Sequence, residues 1–98
     1  MGVAVTLVNE RELKRSVNAG KDVTRVVFER QADGAWRLVI FLAGHNEAIT
    51  LQRFRGGLRT WKTMENLLKY VQLLLPRYPA ENIDVFLRSY SDIPGGKA

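Results

Sequence analysis

The stretch Val26-Val27-Phe28-Glu29-Arg30-Gln31-Ala32-Asp33-Gly34-Ala35-Trp36-Arg37-Leu38-Val39-Ile40 decides the fold. Two runs of β-branched and aromatic residues flank an Ala-Asp-Gly turn signal, which reads as a β-hairpin. Its register follows from pair chemistry, because a one-residue slip changes every cross-strand partner and turns every side chain to the other face. A two-residue loop at Asp33-Gly34 would oppose Arg30 to Arg37 and Glu29 to Leu38. A three-residue loop with Gly34 in the left-handed conformation pairs Glu29 with Arg37, Phe28 with Leu38, Val27 with Val39 and Val26 with Ile40. The second register replaces a like-charge opposition with an ion pair and is the one expected.

Outward from the hairpin, residues 23–31, 35–43 and 48–55 read as three strands of an antiparallel meander, joined through Ala32-Asp33-Gly34 and Gly44-His45-Asn46. Setting Gly44 opposite Glu47 would bring Leu42 to Ile49 and Ile40 to Leu51. One face then carries Val26, Phe28, Trp36, Leu38, Ile40, Leu42, Ile49 and Leu51, a core surface. The other carries Arg25, Val27, Glu29, Arg37, Val39, Phe41, Thr50, Gln52 and Phe54, polar at its margins and apolar at its centre. Upstream, Val3–Val8 reads as a short strand, and Leu13 with Val17 marks a thin helix over 10–18 that Gly20 would end. Downstream, Thr63 caps a helix with Glu65 in its first turn, where a carboxylate suits the positive end of the dipole. Met64, Leu67, Leu68, Val71, Leu74 and Leu75 form its apolar stripe and Pro76 stops it. Ile83, Val85 and Leu87 alternate with Asp84, Phe86 and Arg88 in a last strand. The expected class is α+β: an antiparallel sheet of four or five strands with one main amphipathic helix on one face, in a single domain over 1–90, followed by a flexible tail over 91–98.

Ninety-eight residues suffice for one core, and 46% hydrophobic with 26% charged residues is a globular composition. The absence of cysteine excludes disulfides and thiolate chemistry and fits a reducing, cytoplasmic setting. The longest apolar run, Leu38 to Ala43, is too short to span a bilayer, so no membrane partner is expected. His45 is the only histidine and sits in a turn; with Ser16, Ser89 and Ser91 it has no nucleophile-elbow context. One histidine without cysteine also leaves no recognisable metal-ligand spacing. No enzyme activity, cofactor or metal is expected.

The formal net charge of +5 points to an acidic partner, and it is unevenly placed. Residues 1–50 hold seven Lys/Arg against six Asp/Glu, and residues 51–98 hold eight against four. Within the second half, Arg53-Phe54-Arg55-Gly56-Gly57-Leu58-Arg59-Thr60-Trp61-Lys62 has four cations, two aromatics and no acid. Cations among rings suit phosphates and bases, so Arg53, Arg55, Arg59 and Lys62 are candidate phosphate contacts, with Phe54 and Trp61 as stacking rings. Four phosphates neutralised would give a slope of log affinity on log salt of about −3 to −4. An acidic protein surface, and a charged edge that only discourages sheet-to-sheet association, are the other readings. Trp61, just before the helix cap, serves equally as a staple of the helix to the core.

A single main helix covers one face of the sheet, which leaves the Val27, Val39 and Phe41 face to be met by something else. Three occupants are weighed: segment 10–18 folded over it, a homodimer or partner protein through Val27, Val39 and Phe41, or bases stacked on Phe41 and Phe54 with Arg25 and Arg37 on phosphates; a homodimer through Val27, Val39 and Phe41 is the one expected.

Residues 55–66, Arg55-Gly56-Gly57-Leu58-Arg59-Thr60-Trp61-Lys62-Thr63-Met64-Glu65-Asn66, with the helix and last strand after them, resemble the R-G-x-x-R-x-aromatic-x-[ST]-x-acid pattern of small proteins of plasmids and integrated mobile elements, including ParC-like partition-associated proteins. The resemblance spans roughly residues 50–88 and matches at Arg55, Gly56, Arg59, Trp61 and Thr63; the long gap from Pro76 to Asn82 departs from it. It implies an accessory role in maintaining or transferring mobile DNA. The expected function is therefore a non-enzymatic nucleic-acid-binding accessory protein, the alternative being an adaptor or inhibitor docking on an acidic protein.

Overall fold

The computed structural model of the chain describes residues 5–20, 22–44 and 47–87. The tail expected over 91–98, together with His45, Ser89 and Ser91, lies outside them. In chain order the elements are β1 (Val5–Val8), α1 (Glu10–Val17), β2 (Val23–Arg30), β3 (Trp36–Leu42), β4 (Ala48–Leu51), α2 (Met64–Leu74) and β5 (Asp84–Phe86), with short 3₁₀ turns at Asn18–Gly20 and Ala80–Asn82.

The hairpin forms in the expected register: Glu29 faces Arg37, Phe28 faces Leu38, Val27 faces Val39 and Val26 faces Ile40. The turn is held by Gly34 N–H donating to the Gln31 carbonyl at 2.9 Å, with Gly34 at φ 89°. That is a conformation an L side chain rarely adopts. The next pairing differs from expectation. Ile40 faces Ile49, so β4 is displaced by two residues from the Ile40–Leu51 pairing. An even displacement keeps every side chain on its face, which is why the core composition survives the change. The observed register also lets the Thr50 hydroxyl donate to the Leu38 carbonyl at 2.6 Å, satisfying a buried polar group.

The sheet is five-stranded in the order β1-β4-β3-β2-β5, and it is mixed rather than antiparallel. β1 runs parallel to β4 and β5 parallel to β2, with β3 alone opposed. Neither parallel pair has sequence-adjacent partners, so hairpin chemistry could not disclose them. Two crossovers result. β1–α1–β2 and β4–α2–β5 each step three places in the same direction across the sheet. Because such connections take one hand, both helices are driven to the same face.

The packing agrees. Leu13 and Val17 of α1 join Leu67, Val71 and Leu75 of the α2 segment in one cluster with Val26, Phe28, Leu38, Ile40, Leu42, Ile49 and Leu51. α1 lies against β4 and α2 against β3. The expectation of one main helix is thus corrected to two, and segment 10–18 does not cover the second face. α1 needs few apolar residues because it shares its face with a longer neighbour. Its ends are well specified instead: Asn9 accepts from Glu12 N–H, Glu10 and Glu12 occupy the first turn, Lys14 and Arg15 the last, and Asn18 closes it at φ 47°. Thr63 caps α2 as expected, accepting from Asn66 N–H at 3.1 Å.

If α1 is part of the core, truncating its fully buried Leu13 should destabilise the fold by about 2–4 kcal/mol, whereas Leu73→Ala, on an 85% exposed residue, should stay within about 0.5 kcal/mol. Urea denaturation of the two variants checks this, and a harmless Leu13→Ala would detach α1 from the core.

Candidate nucleic-acid interface

The basic stretch is a hairpin loop and not the end of a strand. β4 stops at Leu51, and Gln52 is held by its N–H donating to the Val8 carbonyl at 2.8 Å and by a bridge to Leu58. Arg53 N–H then donates to the Gly57 carbonyl at 2.8 Å, and Gly56 N–H to the Arg53 carbonyl at 2.9 Å. Gly56 at φ 93° and Gly57 at φ 82° make this turn possible, so the two glycines serve backbone geometry and no phosphate loop. The returning limb reaches β3, where Trp36 and Trp61 exchange backbone hydrogen bonds of 2.7 and 2.8 Å.

This geometry separates the two rings of the stretch. Phe54 stands at the tip of the turn with its side chain wholly in solvent, at 102% relative exposure. Trp61 is 7% exposed and belongs to the core. Its ring centre lies 5.2 Å from that of Tyr70 on α2, and the Arg59 guanidinium covers it at 4.7 Å. Trp61 therefore fastens the start of α2 to the sheet, the staple role weighed for it, and offers no free face for a base.

Tyr70 extends this stack to α1 by donating its hydroxyl to Glu10 Oε2 at 2.9 Å. Burial of the phenol, then the hydrogen bond to Glu10 and the charge of that carboxylate, push the Tyr70 pKa well above the ordinary tyrosine value, against a smaller pull from Arg59. The chain Arg59–Trp61–Tyr70–Glu10 thus ties the hairpin to both helices and fixes the width of the space between α1 and the turn.

That space is an open groove of about 740 Å³. Arg11 and Lys14 of α1 line one wall, Gln52, Arg53, Phe54 and Arg59 the other, and Asn9 and Glu10 lie at the helix start. Arg11, Lys14, Arg53 and Arg59 have no carboxylate within ion-pair distance among the described residues, unlike Arg25, paired with Asp84, and Arg37, paired with Glu29. Arg55 and Lys62 are exposed and do not line the groove.

The remaining expected site residues lie elsewhere. Arg25 and Arg37 share the sheet face turned away from the helices. Arg37 donates from Nε to Glu29 Oε1, and Glu29 is fully buried. Arg25 donates from Nε to Asp84 Oδ2 at 2.6 Å, with its guanidinium 5.6 Å from the ring centres of both Phe41 and Phe86. Both arginines are thereby engaged structurally, and neither is brought to the groove. Val27 and Val39 are fully buried, with Ala48 beside them and Val5, Phe41 and Phe86 packed around. The apolar centre expected as an exposed dimer surface is thus already withdrawn from solvent within one chain.

The sequence reading did not include Arg11 and Lys14. Their i, i+3 spacing places them on one side of α1, but only the parallel crossover brings that side to the Arg53–Arg59 loop. Among the described residues no three metal-ligating side chains gather, and no helix is long and apolar enough to cross a membrane. No protein-family model, no curated protein and no solved structure matches the chain.

Two outcomes follow from this division of roles. Arg37→Ala removes an ion-pair partner of the fully buried Glu29 and should cost about 1–3 kcal/mol, while Arg55→Ala should stay within about 0.5 kcal/mol; urea midpoints separate them. For Tyr70 the folded pKa is raised, so its contribution is fully present below the unfolded value of about 10 and is lost as pH climbs beyond it. Stability should therefore fall above about pH 10 more steeply in the wild type than in Tyr70→Phe, as urea midpoints taken between about pH 9 and 12 would show.

Proposed function

We propose that this chain is a non-enzymatic accessory protein that binds single-stranded nucleic acid in the groove between α1 and the Arg53–Gly57 turn. The observation that carries the reading is Phe54, a fully exposed aromatic ring flanked by Arg53 and Arg55, above a groove whose cations have no carboxylate partner among the described residues. An exposed aromatic costs solubility unless something covers it, and a ring among cations suits an unpaired base whose neighbouring phosphates meet the charges. A duplex hides its base faces, so the exposed ring favours single strands. Arg11, Lys14, Arg53 and Arg59 take the phosphates, with Arg55 and Lys62 adding to the surrounding potential. The resemblance of residues 50–88 to ParC-like partition-associated proteins supports a place in the maintenance or transfer of mobile DNA.

Fluorescence anisotropy with labelled single-stranded DNA, RNA and duplex of equal length, across a salt series, tests the reading. Single strands should bind most tightly, with a slope of log affinity on log salt of about −3 for four phosphates. Phe54→Ala should weaken binding by about 1–3 kcal/mol with that slope unchanged, and Lys14→Glu with Arg53→Glu should abolish binding while leaving the thermal midpoint near that of the wild type. Equal binding to a poly-glutamate chain would favour the acidic-protein alternative, and absence of binding at low salt would remove the nucleic-acid reading.

A further inference from the structure

Phosphate contacts and stacking hold a strand without reading it, so a groove of this kind is specific only if some side chain presents hydrogen-bonding atoms to a base edge. The groove residues can be sorted on that criterion. Arg11, Lys14, Arg53 and Arg59 only donate. Glu10 only accepts, and it already takes the Tyr70 hydroxyl. Asn9 has its carboxamide held in the helix cap, where its oxygen accepts from Glu12 N–H at 2.8 Å. Gln52 alone among these residues presents a carboxamide, an adjacent donor and acceptor, that makes no side-chain hydrogen bond to a described residue.

Its surroundings suit the task. The Gln52 backbone is fixed from two sides, by Val8 and by Leu58, so the amide projects from a hydrogen-bonded strand end. The amide nitrogen lies beneath the turn, 3.9 Å from where a side chain at Gly56 would begin, and Phe54 follows two residues later in the same wall.

The geometry points to Gln52 as the residue that reads the base stacked on Phe54, with a preference for adenine. This rests on the nucleic-acid reading above. A carboxamide pairs in bidentate fashion with an adenine edge, where an amino donor sits beside a ring-nitrogen acceptor, and a purine also gives the larger surface to the ring.

The test is anisotropy with fluorescein-labelled oligo(dA), oligo(dC) and oligo(dT) of equal length, using wild type, Gln52→Ala and the isosteric Gln52→Glu, with circular dichroism as the check on folding. Wild type should bind oligo(dA) about tenfold more tightly than oligo(dT). Gln52→Ala should bring the two within about twofold while keeping the salt slope. Gln52→Glu, which cannot donate, should likewise lose the preference and serves if the alanine variant does not fold. Equal binding of all three oligomers by wild type, or a preference that survives both substitutions, overturns the role of Gln52 and leaves the proposed function standing. Failure of wild type to bind any of these oligomers or their RNA counterparts at low salt overturns both.

Discussion

Two parallel crossovers that step the same way across one sheet must place their helices on one side, and the rest of this molecule follows from that constraint. β1 and β4 lie side by side and parallel, as do β2 and β5, so each crossover carries the chain three places over. α1 and α2 then share a face and divide its apolar burial between them: Leu13 and Val17 from one, Leu67, Val71 and Leu75 from the other. The start of α1 comes to rest beside the end of β4. The loop leaving β4 cannot avoid facing α1, and the groove is the gap between them.

What fills that gap is set by a division of labour among similar residues. Of two aromatic rings in one ten-residue stretch, Trp61 is packed into the core under Arg59, while Phe54 is carried out by a glycine-permitted turn. Arginines divide likewise. Arg25 and Arg37 neutralise Asp84 and Glu29 and help to close the second face over Val27 and Val39, whereas Arg53 and Arg59 have no carboxylate partner among the described residues. Charge in this chain is thus spent in two ways, one structural and one directed outward.

Much of the local structure was legible in the sequence. Glu29 opposite Arg37 fixed the hairpin register because opposite charges and alternation agreed, and Thr63 with the stripe from Met64 to Leu75 fixed α2 because cap and period agreed. The long-range order was not legible. β1 against β4 and β2 against β5 are pairings of strands distant in the chain, which no turn chemistry encodes, and an antiparallel sheet was expected for that reason. The β3–β4 register slipped by two because the Gly44-His45-Asn46 signal does not specify loop length, though alternation protected the faces. At the site, the Arg53–Lys62 bias was visible, but the different fates of Phe54 and Trp61 depend on which ring α2 covers, and Arg11 and Lys14 gain meaning only once α1 is placed.

The most direct measurement is an amide chemical-shift titration of the isotopically labelled protein with a short single-stranded oligonucleotide at low salt. Shifts gathered at residues 9–14 and 52–59, with little change around Val27, Val39 and Phe41, are the result expected of a groove between α1 and the exposed turn. Shifts centred instead on the Val27 and Val39 face, or none at all with the strand in excess, would contradict it.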